Sequence, residues 1–278
     1  MAAPNLVRMT TISSVLLLTL ALGCEDKPKE QPSAPMAAAE PAAKAAANAS
    51  TTATTKAIEQ SPPLPGTTRF ALFMGRGSFL IDAPLEKIKG RSDEAAGHLD
   101  VDTKDVGKSR GVIMVRLSTL KTNTFGEMDK DAAQTEHARN WMEVGNDSAA
   151  DARLKFEWAK FTISSVEATP AALADAKDES GNRTVKAIVT GDLVVHGITS
   201  RKTIPVTVTF KGSADAPTDL AIKTDETMPV SLKEHEVKPR DKVGSFLNGA
   251  LERIGKKIDD KVQVSFEGDA KALMPAHP

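Results

Sequence analysis

Residues 184–210 read TVKAIVTGDLVVHGITSRKTIPVTVTF, and their reading decides the fold. Val185, Ala187 and Val189 alternate with other side chains, and Leu193 and Val195 follow Gly191. Ile204, Val206, Val208 and Phe210 then alternate with Pro205, Thr207 and Thr209. Successive side chains of a strand point to opposite faces, so a period of two sets one apolar face against a core. Between the two halves lies His196-Gly197, a turn signal that lets them pair as a hairpin.

The same period recurs on both sides. Upstream, Leu99 and Val101 alternate with acids, as do Ile113, Val115 and Leu117 with Met114 and Arg116. Leu154, Phe156 and Trp158 alternate with Lys155 and Glu157, and Phe161 and Ile163 continue in a shifted phase. Downstream, Leu220 and Ile222 flank Ala221, and Val262, Val264 and Phe266 close the series. Gly97, Gly111, Gly181-Asn182, Gly191, Gly197 and Gly212 are read as the separating turns. Many short antiparallel strands predict a barrel or a sandwich. Two stretches break the pattern. Residues 129–144 hold helix formers with Ala133, His137, Ala138 and Trp141 near helical spacing, which predicts a short helix or crossover. Residues 241–256 place Val243, Phe246, Leu247, Leu251 and Ile254 along one helical face. That helix would either cover a barrel end or pack outside the sheet.

The chain before this domain reads differently. Arg8 precedes an apolar run from Ile12 to Leu22. At roughly ten residues it is half the length a membrane-spanning helix needs, and it fits an export signal. The only cysteine follows in Leu20-Ala21-Leu22-Gly23-Cys24, which resembles the bacterial lipoprotein box and implies lipidation at Cys24. Several acyl chains there would hold the protein on a membrane. Residues 27–66 are rich in Ala, Pro, Ser and Thr and cannot bury enough apolar surface to offset the entropy of ordering. The expected organisation is a signal peptide at 1–23, a tether at 24–67, one β domain at 68–272 and a short tail at 273–278. The expected location is the bacterial cell envelope, on the periplasmic side or the cell surface.

Composition narrows the function. Thirty-six Lys and Arg balance 37 Asp and Glu, so no basic excess exists to displace counterions from nucleic acid. Aromatic residues make up 4% of the chain and tyrosine is missing, which disfavours stacking platforms. A single cysteine excludes an intramolecular disulfide and a Cys-based zinc cage. His137, His196 and His235 stand apart in sequence, without the clustering a metal site needs, and no Gly-x-Ser-x-Gly or phosphate loop occurs. No cofactor is expected.

Residues 184–210 resemble the YceI-like family of exported, lipocalin-fold proteins, some of which bind polyisoprenoid lipids. The resemblance rests on Gly191-Asp192-Leu193, then His196-Gly197-Ile198-Thr199 and Arg201. Thr119, Thr122, Asp131, His137 and Trp141 fit the family's strand end and following acidic helical turn. Phe79-Leu80-Ile81-Asp82 resembles its first strand, and the ordered set spans roughly residues 78–268. The resemblance implies a mainly β fold, an antiparallel lipocalin-like β-barrel with one or two short helices. It implies non-catalytic binding, transport or storage of an amphiphilic lipid such as an isoprenoid quinone; the membrane would be reached through Cys24, as the lipoprotein box implies. A ligand-free envelope scaffold is the alternative, and an enzyme acting on isoprenoids is a weaker one. An inward apolar face is all that tail burial needs. Ile113, Val115, Phe156, Trp158, Val194 and Val208 are the candidate wall, although each also fits plain core. Oligomeric state is left open.

Overall fold

The alternating runs form strands in a computed structural model that describes residues 62–82, 87–237 and 260–273. In chain order these are β1 (Thr68–Asp82), β2 (Lys87–Ser92), β3 (Ala95–Val101), β4 (Arg110–Arg116), β5 (Lys121–Thr122), β6 (Trp158–Thr169), β7 (Asp178–Glu179), β8 (Asn182–Val195), β9 (Ile198–Gly212), β10 (Pro217–Thr224), β11 (Met228–Ser231) and β12 (Lys261–Ala272). Two helices interrupt them, α1 (Met128–Trp141) and α2 (Ala150–Phe156). No helix among the described residues is long and apolar enough to cross a membrane. The export signal and most of the tether lie outside the described residues, as does the helix expected over 241–256.

All strand pairs are antiparallel. The ring runs β1–β3–β4–β6–β8–β9–β10–β12 and returns to β1, so eight strands close a barrel. Eight strands leave an interior just wide enough for side chains or one slender ligand. The deciding stretch is its longest hairpin, in register from Asn182↔Lys211 to Val195↔Ile198. His196 and Gly197 take φ of 50° and 77°, which makes the two-residue type I′ turn that matches strand twist. The outer face of this hairpin is polar. Lys186 donates to Thr207 at 2.6 Å, Thr190 meets Thr203 at 2.8 Å, and Arg201 donates to Asp192 at 3.1 Å. Such exposed cross-strand pairs contribute a few tenths of a kcal/mol each, about 0.2–1 kcal/mol.

Two expectations need correction. Leu154, Phe156 and Trp158 do not share a strand: Ala150–Phe156 is helical and β6 starts at Trp158. The stretch ADARLKF is rich in good helix formers, and their propensity prevails over a short apparent alternation. Gly97, Gly111 and Gly191 are not turns either, because they lie inside β3, β4 and β8. At Gly191 a Cβ would press on the Thr162 carbonyl oxygen and stand 2.6 Å from the Phe161 ring, so glycine marks a close approach of backbone and aromatic ring. The expected helix near 129–144 is α1. Its first-turn Asp131 accepts from the backbone N–H groups of Phe125 and Gly126, at 2.9 and 3.0 Å.

One end of the barrel is solid. Phe70, Val185, Leu173, Phe210, Leu220 and Ala270 are at most 2% exposed. The β3–β4 and β6–β7 connections close over them through Val106 and Leu173. Val106 N–H donates to the Ala171 carbonyl at 2.7 Å, and Leu173 N–H to that of Thr103 at 2.8 Å. His98 lies nearby on the outer side of β3, and its Nδ1 has no partner. Burial pushes the His98 pKa below its ordinary value, and the Arg69 charge adds to this against a smaller opposing pull from Asp100. The native state therefore takes up fewer protons than the unfolded chain below about pH 6.5. Stability is expected to fall as pH drops from about 7 to 5. His98→Gln should flatten that part of a urea-midpoint-against-pH curve, and an unchanged slope would assign it to other groups.

Candidate functional site at the barrel mouth

The opposite end is built from three pieces: the His196-Gly197 turn, the C-terminus of α2 and the loop at 232–237. Phe156 ends α2 and lies under His196, with ring centroids 4.0 Å apart. His235 is 0% exposed and locks the loop onto the hairpin. Its Nδ1 is 3.1 Å from the Val195 carbonyl and its Nε2 is 3.0 Å from Ser200 Oγ. The carbonyl can only accept, so Nδ1 donates to it, and Nε2 accepts from the Ser200 hydroxyl. His196 in turn donates from Nδ1 to the His235 carbonyl at 3.2 Å, while its Nε2 stands 3.5 Å from Glu143. The Ser200–His235 contact has the distance of a nucleophile and its base. Here it is structural: both groups are buried, and the histidine is oriented by a carbonyl rather than by a carboxylate.

The inner wall follows from β9. Ser200, Ile204 and Val206 are buried, while Arg201 and Thr203 are exposed. Alternation therefore places Lys202 on the inward face, opposite Gly191 of β8. The Lys202 side chain is 15% exposed, and its Nζ is 3.5 Å from Glu234 Oε2, whose side chain is 49% exposed. On the far edge of β9 the ladder to β10 begins only at Val206. Lys202 and Glu234 thus sit beside a stretch of β9 that pairs, among the described strands, with β8 alone.

The six residues expected on the inner wall divide by the face they occupy. Ile113, Val115 and Val208 face inward, with Ile113 in the packed core and Val208 against it. Val115 is half-buried and packs on β1 where Gly77 leaves room; a Cβ there would lie 2.9 Å from the valine. The other three do not share that wall. Trp158 pairs with Arg116, one residue out of phase with Ala159 and Val115, and so faces out. Arg116 stands 5.9 Å from the Trp158 ring centroid and bonds Glu157 and Glu94, which outweigh the burial that opposes its charge and raise its pKa. Val194 alternates with buried Leu193 and also faces out. Phe156 belongs to α2 at the mouth. Inward residues outside the expected six include Phe79, Phe161 and Val264, which are half-buried like Val115.

A separate groove of about 440 Å³ crosses the face of β1 and β12 that is turned away from the core. Arg76 and Ser78 of β1 oppose Glu267 and Ser265 of β12 there. Arg76 also bonds Asp93 at 2.6 Å, and that hydrogen bond holds the aspartate below the usual carboxylate range. Exposed pairs of this kind contribute little to stability. Among the described residues no group of three or more His, Cys, Asp and Glu is placed to hold a metal ion.

A closed antiparallel barrel of eight strands with a packed apolar core defines a lipocalin-like fold. Residues 75–270 match the model of the YceI-like domain, and the chain belongs to that family. A polyisoprenoid binding domain from Saccharophagus degradans, described as implicated in plant cell wall breakdown, is 14% identical, with 73% of this chain and 98% of that chain covered and a TM-score of 0.49. BcnA of Burkholderia cenocepacia is 16% identical, with 71% and 96% covered and a TM-score of 0.42. No curated protein matches the chain.

Proposed function

We propose that the barrel binds the hydrocarbon tail of an amphiphilic lipid, an isoprenoid chain in particular, and carries or stores it without chemical change. The observation that carries this reading is a half-buried stretch midway along the inner wall, between the packed end and a second buried set, Ile81, Leu193 and Val262. Inward apolar residues of the packed end are almost fully buried, whereas Phe79, Val115, Phe161 and Val264 keep part of their surface uncovered. Apolar surface left open inside a barrel is surface that a tail can cover, at about 25 cal/mol per Å². Membership of the YceI-like family supports the same reading. We further propose that Cys24 is lipidated and that the chain before Thr68 tethers the barrel to a membrane of the bacterial envelope.

Organic extraction of the full chain purified from its native host, followed by mass spectrometry, should release a long-chain lipid near one equivalent. Val264 lies on the inner face of β12, opposite Phe79 of β1 and Met228 of β11. Val264→Trp fills the space a tail would use and should cut the lipid content at least tenfold. An empty wild-type protein would favour the ligand-free scaffold. A full complement of lipid in the tryptophan variant would move the site away from this wall.

A further inference from the structure

We infer that Lys202 is a headgroup-selecting residue that favours acidic lipids, those with a phosphate or carboxylate, over neutral ones of the same tail. This rests on the lipid-binding reading above and adds the headgroup class. Lys202 is a cation on an inward face whose next positions along β9 are Ile204 and Val206. A charge so placed is tolerated only when paired. Its ion-pair partner is the Glu234 carboxylate at 3.5 Å, a long contact made by a half-exposed side chain. Glu234 can rotate into water at little loss, because exposed partners of an ion pair contribute little. The place it leaves is one that a carboxylate group already fits, beside the edge of β9 where the ladder to β10 has not begun.

An acidic headgroup would take that place with its tail directed down the apolar wall. The Lys202 ammonium has three donors and no acceptor, so it serves an anionic oxygen best. His235 and Ser200 satisfy each other, so neither competes with the lysine for a headgroup.

Binding of defined lipids to the full chain tests this. The probes are a polyprenyl monophosphate against the polyprenol of the same length, and a long-chain fatty acid against its methyl ester. A hydrogen bond to a charged group gives an expected preference of about tenfold to a hundredfold for the acidic member. Lys202→Met should erase that preference and leave neutral-lipid affinity in place, Lys202→Arg should keep it, and Glu234→Gln should increase it by removing the competing carboxylate. Preference within one pair only would assign the headgroup to phosphate or to carboxylate. Equal wild-type affinities within both pairs, or a preference that survives Lys202→Met, would overturn the inference and leave the tail-binding reading intact. If no probe binds at all, both fall together. Lys202→Met introduces an apolar side chain on an inward face, so it should fold; Glu234→Gln, at the half-exposed partner, gives an independent reading.

Discussion

Asp100→Ala is expected to destabilise the domain by about 3–5 kcal/mol, because it leaves a buried guanidinium without its counter-charge. Asp100 and Arg69 have side chains only 5% and 6% exposed and meet in a two-point contact, Nε to Oδ1 at 2.7 Å and Nη2 to Oδ2 at 2.8 Å. The hydrogen bond to Asp100 raises the Arg69 pKa against the burial that opposes its charge, so the arginine cannot escape by losing its proton. The same pair ties down the chain entering the barrel: Leu64 N–H donates to Asp100 Oδ2 at 3.3 Å, and Arg69 Nη2 donates to the Pro62 carbonyl at 3.1 Å. Losing the carboxylate therefore strands one charge and frees a segment at once. Thermal unfolding of the variant should show Tm lowered by roughly 10 °C. The double replacement Arg69→Met with Asp100→Leu should recover most of that loss, since apolar groups of similar size often match a buried ion pair. A single-variant loss below about 1 kcal/mol would mean that water screens the pair, as it does for exposed ones.

The pair also shows where sequence reading stops. The period of two identified β9 correctly, because Ile204, Val206, Val208 and Phe210 share one face and no other element competes for that pattern. Extended backward by the same rule, it places Lys202 inward too; the signal was present, and the charge of the residue masked it. Trp158 and Val194 went to the wrong face for a different reason. A period of two fixes which residues share a face but not where its phase resets, and the helix α2 ends just before Trp158, whereas Val194 falls between Leu193 and Val195 in an unbroken alternation that already sets it outward. Gly191 looked like a turn because glycine punctuates chains, whereas here it makes room for the Phe161 ring in mid-strand. The contacts of Asp100 with Arg69 and of His235 with Ser200 join residues 31 and 35 positions apart, and no local pattern announces either.

Phe210→Ala is the matching test of the apolar interior, with an expected loss of about 3–5 kcal/mol. Phe210 is 2% exposed and meets Phe70 edge to face at 6.2 Å, so truncation removes a ring and its aromatic partner contact in one step. The surrounding strands are held in register on both sides, by Arg183 on β8 and Leu220 on β10, and cannot collapse into the void. Val264→Ala provides the contrast. It removes two methyl groups from a side chain that is already part-open, and on the tail-binding reading should cost at most about 1 kcal/mol in the lipid-free protein. The order of these two losses matters more than either size. A barrel packed throughout would charge a full cavity penalty at both positions, scaled to the atoms removed. A barrel packed at one end only would charge it at Phe210 and not at Val264, and added lipid would then stabilise the wild type by binding the native state alone. Urea midpoints of the two variants, each measured with and without extracted lipid, separate these cases. A Val264→Ala loss near 2–3 kcal/mol that is insensitive to lipid would show the mouth half of the barrel to be as solid as the base.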